Sequence, residues 1–142
     1  MKELSDRSVG EGGKDRTMNK RAIGANKELL AEAYLQENGV KIIAKNFRIR
    51  QGEVDLIGYH QGYLVFFEVK YRSSGRRGLP EEAVGIQKQK QICRVADYYR
   101  SSRRISLSMP IRYDVVAIEQ EVVRWYQNAF EHIRRTGEWL IF

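Results

Sequence analysis

The chain of 142 residues lacks the features of a secreted or membrane protein. Its single cysteine, Cys93, cannot form an intramolecular disulfide, which favours a reducing, cytoplasmic compartment. No apolar run approaches the roughly 18 residues that a transmembrane helix needs, and the N-terminus lacks the apolar core of a secretory signal. The two histidines have no partner at zinc-ligand spacing. These absences predict a cytoplasmic protein with a single hydrophobic core.

Acidic residues are scarce relative to basic ones. The formal net charge is +7 and the pI is about 9.6. The excess lies between Lys70 and Arg104, where there are ten basic and three acidic residues, while the rest of the chain is balanced. A concentrated positive charge favours a phosphate-rich partner, most simply DNA. A solvated helix is the plain alternative, and a membrane surface is weaker because the segment lacks an interfacial apolar face.

The residue pattern predicts an N-terminal tail and one α+β domain. Residues 1–22, rich in charge, serine and glycine, predict a flexible tail, and residues 23–142 predict a single folded domain. Apolar spacing predicts helices over Asn26–Asn38 and from Pro80 to about Ser101. Five strands are predicted, at residues 40–50, 53–59, 63–71, 112–119 and 122–127. This order is typical of an α/β (α+β) fold with a central mixed sheet flanked by helices.

The predicted hairpin over residues 52–72 carries most of the chemical information. If Gln61 and Gly62 form a two-residue turn, residues whose numbers sum to 123 face each other. One face of the hairpin is then apolar and the other carries charge. The expected pairs are Val54 with Val69, Leu56 with Phe67, Ile57 with Phe66, Asp55 with Glu68, and Glu53 with Lys70.

The pair formed by Asp55 and Glu68 needs compensation because opposed like charges destabilise a sheet. Mg²⁺ or Mn²⁺ would supply it, leaving coordination positions for water and a substrate phosphate. Lys70 projects to the same face and would orient an attacking water or stabilise negative charge on phosphorus. In the alternative, Glu53 and Lys70 form an ordinary surface ion pair and Asp55 is exposed. The pattern favours the metal site.

The same residues resemble a nuclease signature. Asp55 followed by Glu68-Val69-Lys70 resembles the PD-(D/E)xK motif, and the strings GEVDLI and VFFEVKYR resemble the bacterial YraN family of predicted endonucleases, which is similar to archaeal Holliday junction resolvases. The resemblance runs from about Gly24 to Phe130. It implies a restriction-endonuclease-like fold and magnesium-dependent hydrolysis of DNA, with branched or junction DNA as a candidate substrate.

The resemblance also implies roles for individual residues. Asp55 and Glu68 would be metal ligands, and Lys70 would be the catalytic lysine. Glu28, on the first helix, matches the acidic position that completes the metal site in related resolvases. Glu32, one turn later, is a second candidate for that position.

Basic residues that follow the catalytic strand are expected to bind the nucleic-acid backbone. They are Arg72, Arg76, Arg77, Lys88, Lys90 and Arg94, with Lys88 the first choice. A junction resolvase would need a twofold homodimer to cut two strands symmetrically. The competing hypothesis is a non-catalytic nucleic-acid-binding module within a DNA-processing assembly. Lys70→Ala would separate the two, because it should abolish cleavage and spare binding.

Two other reactive side chains are interpreted as structural. Asp114 opens a strand after Arg112 and is expected to cap or pair there. Cys93 shares a helix with Ile92 and Ala96, which predicts a packed thiol rather than a nucleophile.

Overall fold

The structure, a computed structural model, describes residues 16–72 and 84–135, with side chains from Asn26 onward. Its elements are α1 (Arg16–Glu37), β1 (Lys41–Ile49), β2 (Gly52–His60), β3 (Tyr63–Arg72), α2 (Ile86–Ser102), β4 (Ile111–Glu119) and β5 (Val122–Phe130). Within these two ranges, no helix is long and apolar enough to cross a membrane.

The five strands form one mixed sheet in the order β1-β2-β3-β4-β5. Neighbouring strands are antiparallel except β3 and β4, which are parallel. A parallel pair requires a crossover connection, and α2 lies within it. The apolar run of β3 is buried on both faces because a helix packs on each side of the sheet. The predicted α+β class with a central mixed sheet flanked by helices is therefore confirmed.

The hydrophobic core consists of one layer on each face of the sheet. On one face, Ala31 and Leu35 of α1 pack against strand residues: Leu56, Val65, Phe67, Val69, Val116 and Ile118. On the other face, α2 buries a stripe at helical spacing against the sheet: Ile92, Cys93, Val95, Ala96 and Tyr99. These two layers fix the positions of both helices relative to β2 and β3.

Three predicted boundaries differ from the structure by three residues or more. Helix α1 begins at Arg16 instead of Asn26. The sequence did not indicate this start, because the first turns consist mostly of polar residues that have adequate helix propensity but form no apolar stripe. Helix α2 begins at Ile86 instead of Pro80, since Gly85 is extended (φ −63°, ψ 160°). Pro80 itself lies in 73–83, outside the described residues, as do residues 1–15 of the predicted tail. Strand β5 continues to Phe130.

The register of the β2–β3 hairpin is confirmed from the turn to Leu56 opposite Phe67. Gln61 and Gly62 both have positive φ (49° and 84°), as a tight two-residue turn requires. The ladder ends beyond Leu56, and the predicted Val54–Val69 pair is wrong. Val54 packs on the α2 side of the sheet, while Val69 packs on the α1 side.

Two glycines of β2 let neighbouring elements approach closely. A Cβ on Gly58 would lie 2.7 Å from the Lys41 carbonyl oxygen and 2.8 Å from Val40 Cγ1. A Cβ on Gly52 would lie 3.1 Å from Gln91 Cβ. The second contact brings α2 directly over the start of β2, three residues before Asp55.

Candidate functional site

Two carboxylates lie where β2 and β3 separate. Asp55 Oδ2 accepts a hydrogen bond from the Val69 backbone N–H at 2.7 Å, so the side chain occupies a position that a strand carbonyl would otherwise take. Glu68 is buried, with a relative exposure of 7%. Its Oε2 has no hydrogen-bond partner among the described residues. Asp55 and Glu68 are thus neighbours across a gap rather than members of a regular ladder.

Two ammonium groups flank Glu68. Lys70 Nζ lies 3.8 Å from Glu68 Oε1, and Lys88 Nζ lies 4.0 Å from Glu68 Oε2. Both lysine side chains remain about one-third exposed. The expected cross-strand pair between Lys70 and Glu53 is wrong, since Glu53 instead accepts from Arg48 at 2.7 Å. The Lys70 ammonium therefore lies beside Glu68 and not beside Glu53.

The electrostatics of the pair favour a bound cation. Burial, and then the negative charge of Asp55, raise the pKa of Glu68 to about 7, although Lys88, Lys70 and Lys27 lower it. Burial also raises the pKa of Asp55. The hydrogen bond from Val69 lowers this pKa, and the negative charge of Glu28 raises it. Since each carboxylate disfavours ionisation of the other, positive charge between them would stabilise both.

The two candidates on α1 differ in what they contact. Glu28 contributes negative charge at Asp55, whereas Glu32 forms an ion pair with Lys45 at 2.9 Å on the adjacent strand. Within residues 16–72 and 84–135, no three His, Cys, Asp or Glu side chains come together as a metal-binding cluster. The structure therefore brings Asp55 and Glu68 together without Glu28 as a third ligand.

The residues present nevertheless fit a hard divalent cation. A buried carboxylate oxygen without a hydrogen bond, as at Glu68 Oε2, is unfavourable unless another group satisfies it. Carboxylate oxygens are the protein ligands that Mg²⁺ prefers, and Mg²⁺ commonly uses one or two of them while retaining waters and substrate phosphates. Asp55 and Glu68 together meet that requirement.

The expected nucleic-acid-binding residues are dispersed. Lys88 lies at the site, Arg72 ends β3, and Lys90 is exposed on α2. The guanidinium of Arg94 contacts Asp97 at 3.2 Å and donates to the Ile133 carbonyl, so it lies against the C-terminal segment rather than the carboxylates. Arg76 and Arg77 lie outside the described residues.

The structural interpretation of Asp114 is confirmed. This fully buried carboxylate accepts hydrogen bonds from Arg112 Nε at 2.9 Å, Trp125 Nε1 at 2.8 Å and the Asn128 backbone N–H at 2.9 Å. Arg112 also contacts His60 Nδ1 at 2.9 Å, which completes a buried polar network.

Cys93 is likewise a packed thiol. It is fully buried, and its Sγ accepts from the Ile133 backbone N–H at 3.3 Å. Nearby, His132 lies 2.6 Å from the Tyr113 hydroxyl and 3.3 Å from Asp97 Oδ1. These contacts hold the segment after β5 against α2 and β4.

Sequence reasoning missed two charged residues near the carboxylates. The charge of Lys27 on α1 lowers the pKa of Glu68, and Arg48 on β1 forms an ion pair with Glu53, the residue that was expected to pair with Lys70. No spacing in the sequence relates α1 to β3, so Lys27 carried no signal. The Arg48–Glu53 pair could have been found, because a β1–β2 hairpin with a short turn places those positions opposite each other.

Comparison with known proteins places the chain among uncharacterised relatives. The model of the uncharacterised protein family UPF0102 matches residues 27–118. A UPF0102 protein of Lachnoclostridium phytofermentans is 47% identical over 114 residues, covering 80% of this chain and 97% of the relative. One from Syntrophotalea carbinolica is 37% identical over 119 residues, covering 81% and 96%.

Among solved structures, a repair endonuclease from Pyrococcus abyssi aligns with a TM-score of 0.39 and 20% sequence identity. The alignment covers 78% of this chain and 41% of that endonuclease. This chain therefore spans less than half the length of that protein.

Proposed function

Since the chain belongs to the uncharacterised protein family UPF0102, the family that the YraN resemblance indicated, we propose from its site that it is a metal-dependent endonuclease acting on DNA. The observation that carries the proposal is the buried Oε2 of Glu68, which accepts no hydrogen bond from the described residues and lies beside Asp55 and two lysines. Such a site has two ligands for a cation and ammonium groups for a phosphate, which are the requirements of PD-(D/E)xK chemistry.

Asp55 and Glu68 would hold Mg²⁺ or Mn²⁺, which when bound would polarise the scissile phosphate and lower the pKa of a water. Lys70, whose ammonium lies 3.8 Å from Glu68 and remains partly exposed, would position that water and stabilise negative charge on phosphorus. Glu28 would act as the acidic residue contributed by α1, through its charge at Asp55.

Lys88 would bind the phosphate next to the scissile bond, because its ammonium approaches Glu68 from α2 while its side chain stays about one-third exposed. Arg72 and Lys90 would bind phosphates further along the backbone, and Arg76 and Arg77 follow Arg72 in the sequence. Branched or junction DNA is the substrate class that the family resemblance favours, and a homodimer would allow symmetric cutting.

The test is cleavage of labelled linear duplex, single strand, flap and four-way junction, with Mg²⁺ or Mn²⁺ and with EDTA. Lys70→Ala should lower the rate at least a hundredfold, as loss of a group acting in proton transfer or charge stabilisation does, while binding changes only a few-fold. Lys41→Ala is the matched control, since it removes a lysine from an exposed position opposite Tyr59. Metal-dependent cleavage by Lys70→Ala at the wild-type rate would refute the assigned role.

A second candidate is a nucleic-acid-binding module without catalysis. The observation in its favour is that the described residues gather two carboxylates and no third metal-ligating side chain. Salt-sensitive binding of these substrates without cleavage in either metal would support it and contradict the nuclease.

A further inference from the structure

A second basic surface lies at the C-terminal end of α2. It is a groove of about 580 Å³ between the β1–β2 turn and the last turns of α2. Three arginines and two aromatic residues line it: Arg48, Arg50, Arg103, Phe47 and Tyr98. We call this surface the arginine groove; none of its residues belongs to the candidate metal site.

Two of the three cations of the arginine groove, Arg103 and Arg48, are held in place before any ligand binds. The Arg103 guanidinium lies 4.2 Å from the centre of the Tyr99 ring and 5.2 Å from that of Phe47. Arg48 is oriented by its ion pair with Glu53. Arg50 is exposed in the turn, and no ion pair to it occurs in the described part of the chain. Three guanidinium groups against one carboxylate leave a surface suited to an anion.

The exposed aromatic ring narrows the class of anion. Tyr98 has a relative exposure of 53%, and its ring centre lies 6.4 Å from that of Phe47. A large exposed ring among arginines is a platform on which an unpaired base can stack while its phosphates contact the cations. In a duplex the bases are already stacked on one another, so a single strand uses this arrangement and a duplex does not.

The arginine groove lies within reach of the candidate site. Lys88 and Tyr98 are ten residues apart on α2, which corresponds to about 15 Å along the helix. Gln51 lies one residue before β2 and four residues before Asp55, which corresponds to about 13 Å of extended chain. A single strand that is stacked with a rise of roughly 3.4 Å per nucleotide would cover this separation in about four nucleotides.

We propose that the arginine groove binds the single-stranded arm of a branched nucleic acid whose scissile phosphodiester lies at Asp55 and Glu68. The inference rests on the proposed function, which supplies nucleic acid as the ligand and places its scissile bond at the two carboxylates. It goes further in assigning a single-stranded segment to the substrate and in naming the residues that recognise it.

Binding without cleavage tests the groove. Fluorescence anisotropy in EDTA would compare a labelled oligothymidine with a duplex of the same length. Tyr98→Leu should weaken single-strand binding about tenfold, as loss of one base stack does, and change duplex binding less than threefold. Tyr98→Phe should bind as the wild type, because it retains the ring. Arg50→Ala should weaken single-strand binding and reduce its logarithmic salt slope by about 0.7.

The control is Arg124→Ala, an exposed arginine on β5 at the opposite edge of the sheet, which should leave both affinities unchanged. Circular dichroism melts would establish that each variant folds. Equal loss of single-strand and duplex binding in Tyr98→Leu, unchanged single-strand binding in that variant, or no oligothymidine binding by the wild type would each overturn the proposal. Because the binding assay requires no turnover, its result is independent of the cleavage assay. An active nuclease whose groove does not bind a single strand would contradict only this inference, and a protein that binds a single strand without cleaving it would contradict only the proposed function.

Discussion

Replacing Glu68 with glutamine should stabilise the metal-free protein at and above neutral pH. In the folded protein, burial and the charge of Asp55 raise the pKa of Glu68 from 4.5 to about 7. The folded state therefore binds this proton more tightly than the unfolded state does. The resulting stabilisation is complete below pH 4.5 and is lost as the pH rises to about 7.

The size of the effect follows from the interval between the two pKa values. At about 1.4 kcal/mol per pH unit, the shift from 4.5 to about 7 corresponds to about 3 kcal/mol of unfolding free energy. Glutamine does not titrate, so Glu68→Gln avoids this loss. For a chain of this size the difference amounts to roughly 10 °C in melting temperature at pH 8, and it should vanish near pH 4.5.

The assay is thermal unfolding followed by circular dichroism in EDTA, for both proteins, from pH 4.5 to pH 8. Glu37→Gln is the control, because it removes a carboxylate from an exposed position on α1. Addition of Mg²⁺ at pH 8 should raise the melting temperature of the wild type and not that of Glu68→Gln. A difference between wild type and Glu68→Gln that stays constant with pH would refute the electrostatic account of the site.

Two further predictions concern the frame around the site. Gly58→Ala should destabilise the protein by about 2 kcal/mol, since its Cβ would lie 2.7 Å from the Lys41 carbonyl oxygen; urea unfolding should show no such loss for Gly85→Ala, where a Cβ meets nothing within 4 Å. Hydrogen bonding to Asp97 raises the pKa of His132 to about 9, so the stability this pair contributes is complete below pH 6.5 and lost as pH rises through 9. Asp97→Asn should lower that pKa in an NMR titration, and an unchanged pKa would contradict the assignment.

The hairpin illustrates how far local sequence chemistry can predict a register. The turn at Gln61 and Gly62 determines the pairs nearest to it, and these were predicted correctly as far as Leu56 opposite Phe67. Beyond that pair, the Asp55 side chain accepts the Val69 N–H and ends the ladder. A side chain that competes for a strand hydrogen bond leaves no mark in the alternation of apolar and polar residues.

The helices show a similar limit. The apolar stripe of α2 predicted its buried face, but the polar first turns of α1 gave no periodic signal and the start of that helix was misplaced. The proximity of Lys27 and Glu28 to the carboxylates depends on how α1 packs across the sheet. Arg94 is different, because its ion pair with Asp97, three residues later on α2, could have been predicted from the sequence. That spacing favours a structural role for Arg94.

The parallel pairing of β3 with β4 has a consequence for the order of folding. The β2–β3 hairpin closes through a two-residue turn, so the strands bearing Asp55 and Glu68 can meet early and at little entropic cost. Strand β4 can join β3 only after a much longer connection, which contains α2, has closed at a larger cost in chain entropy. We therefore expect the two acidic residues to be assembled first, and Lys88 to reach Glu68 only when the crossover docks.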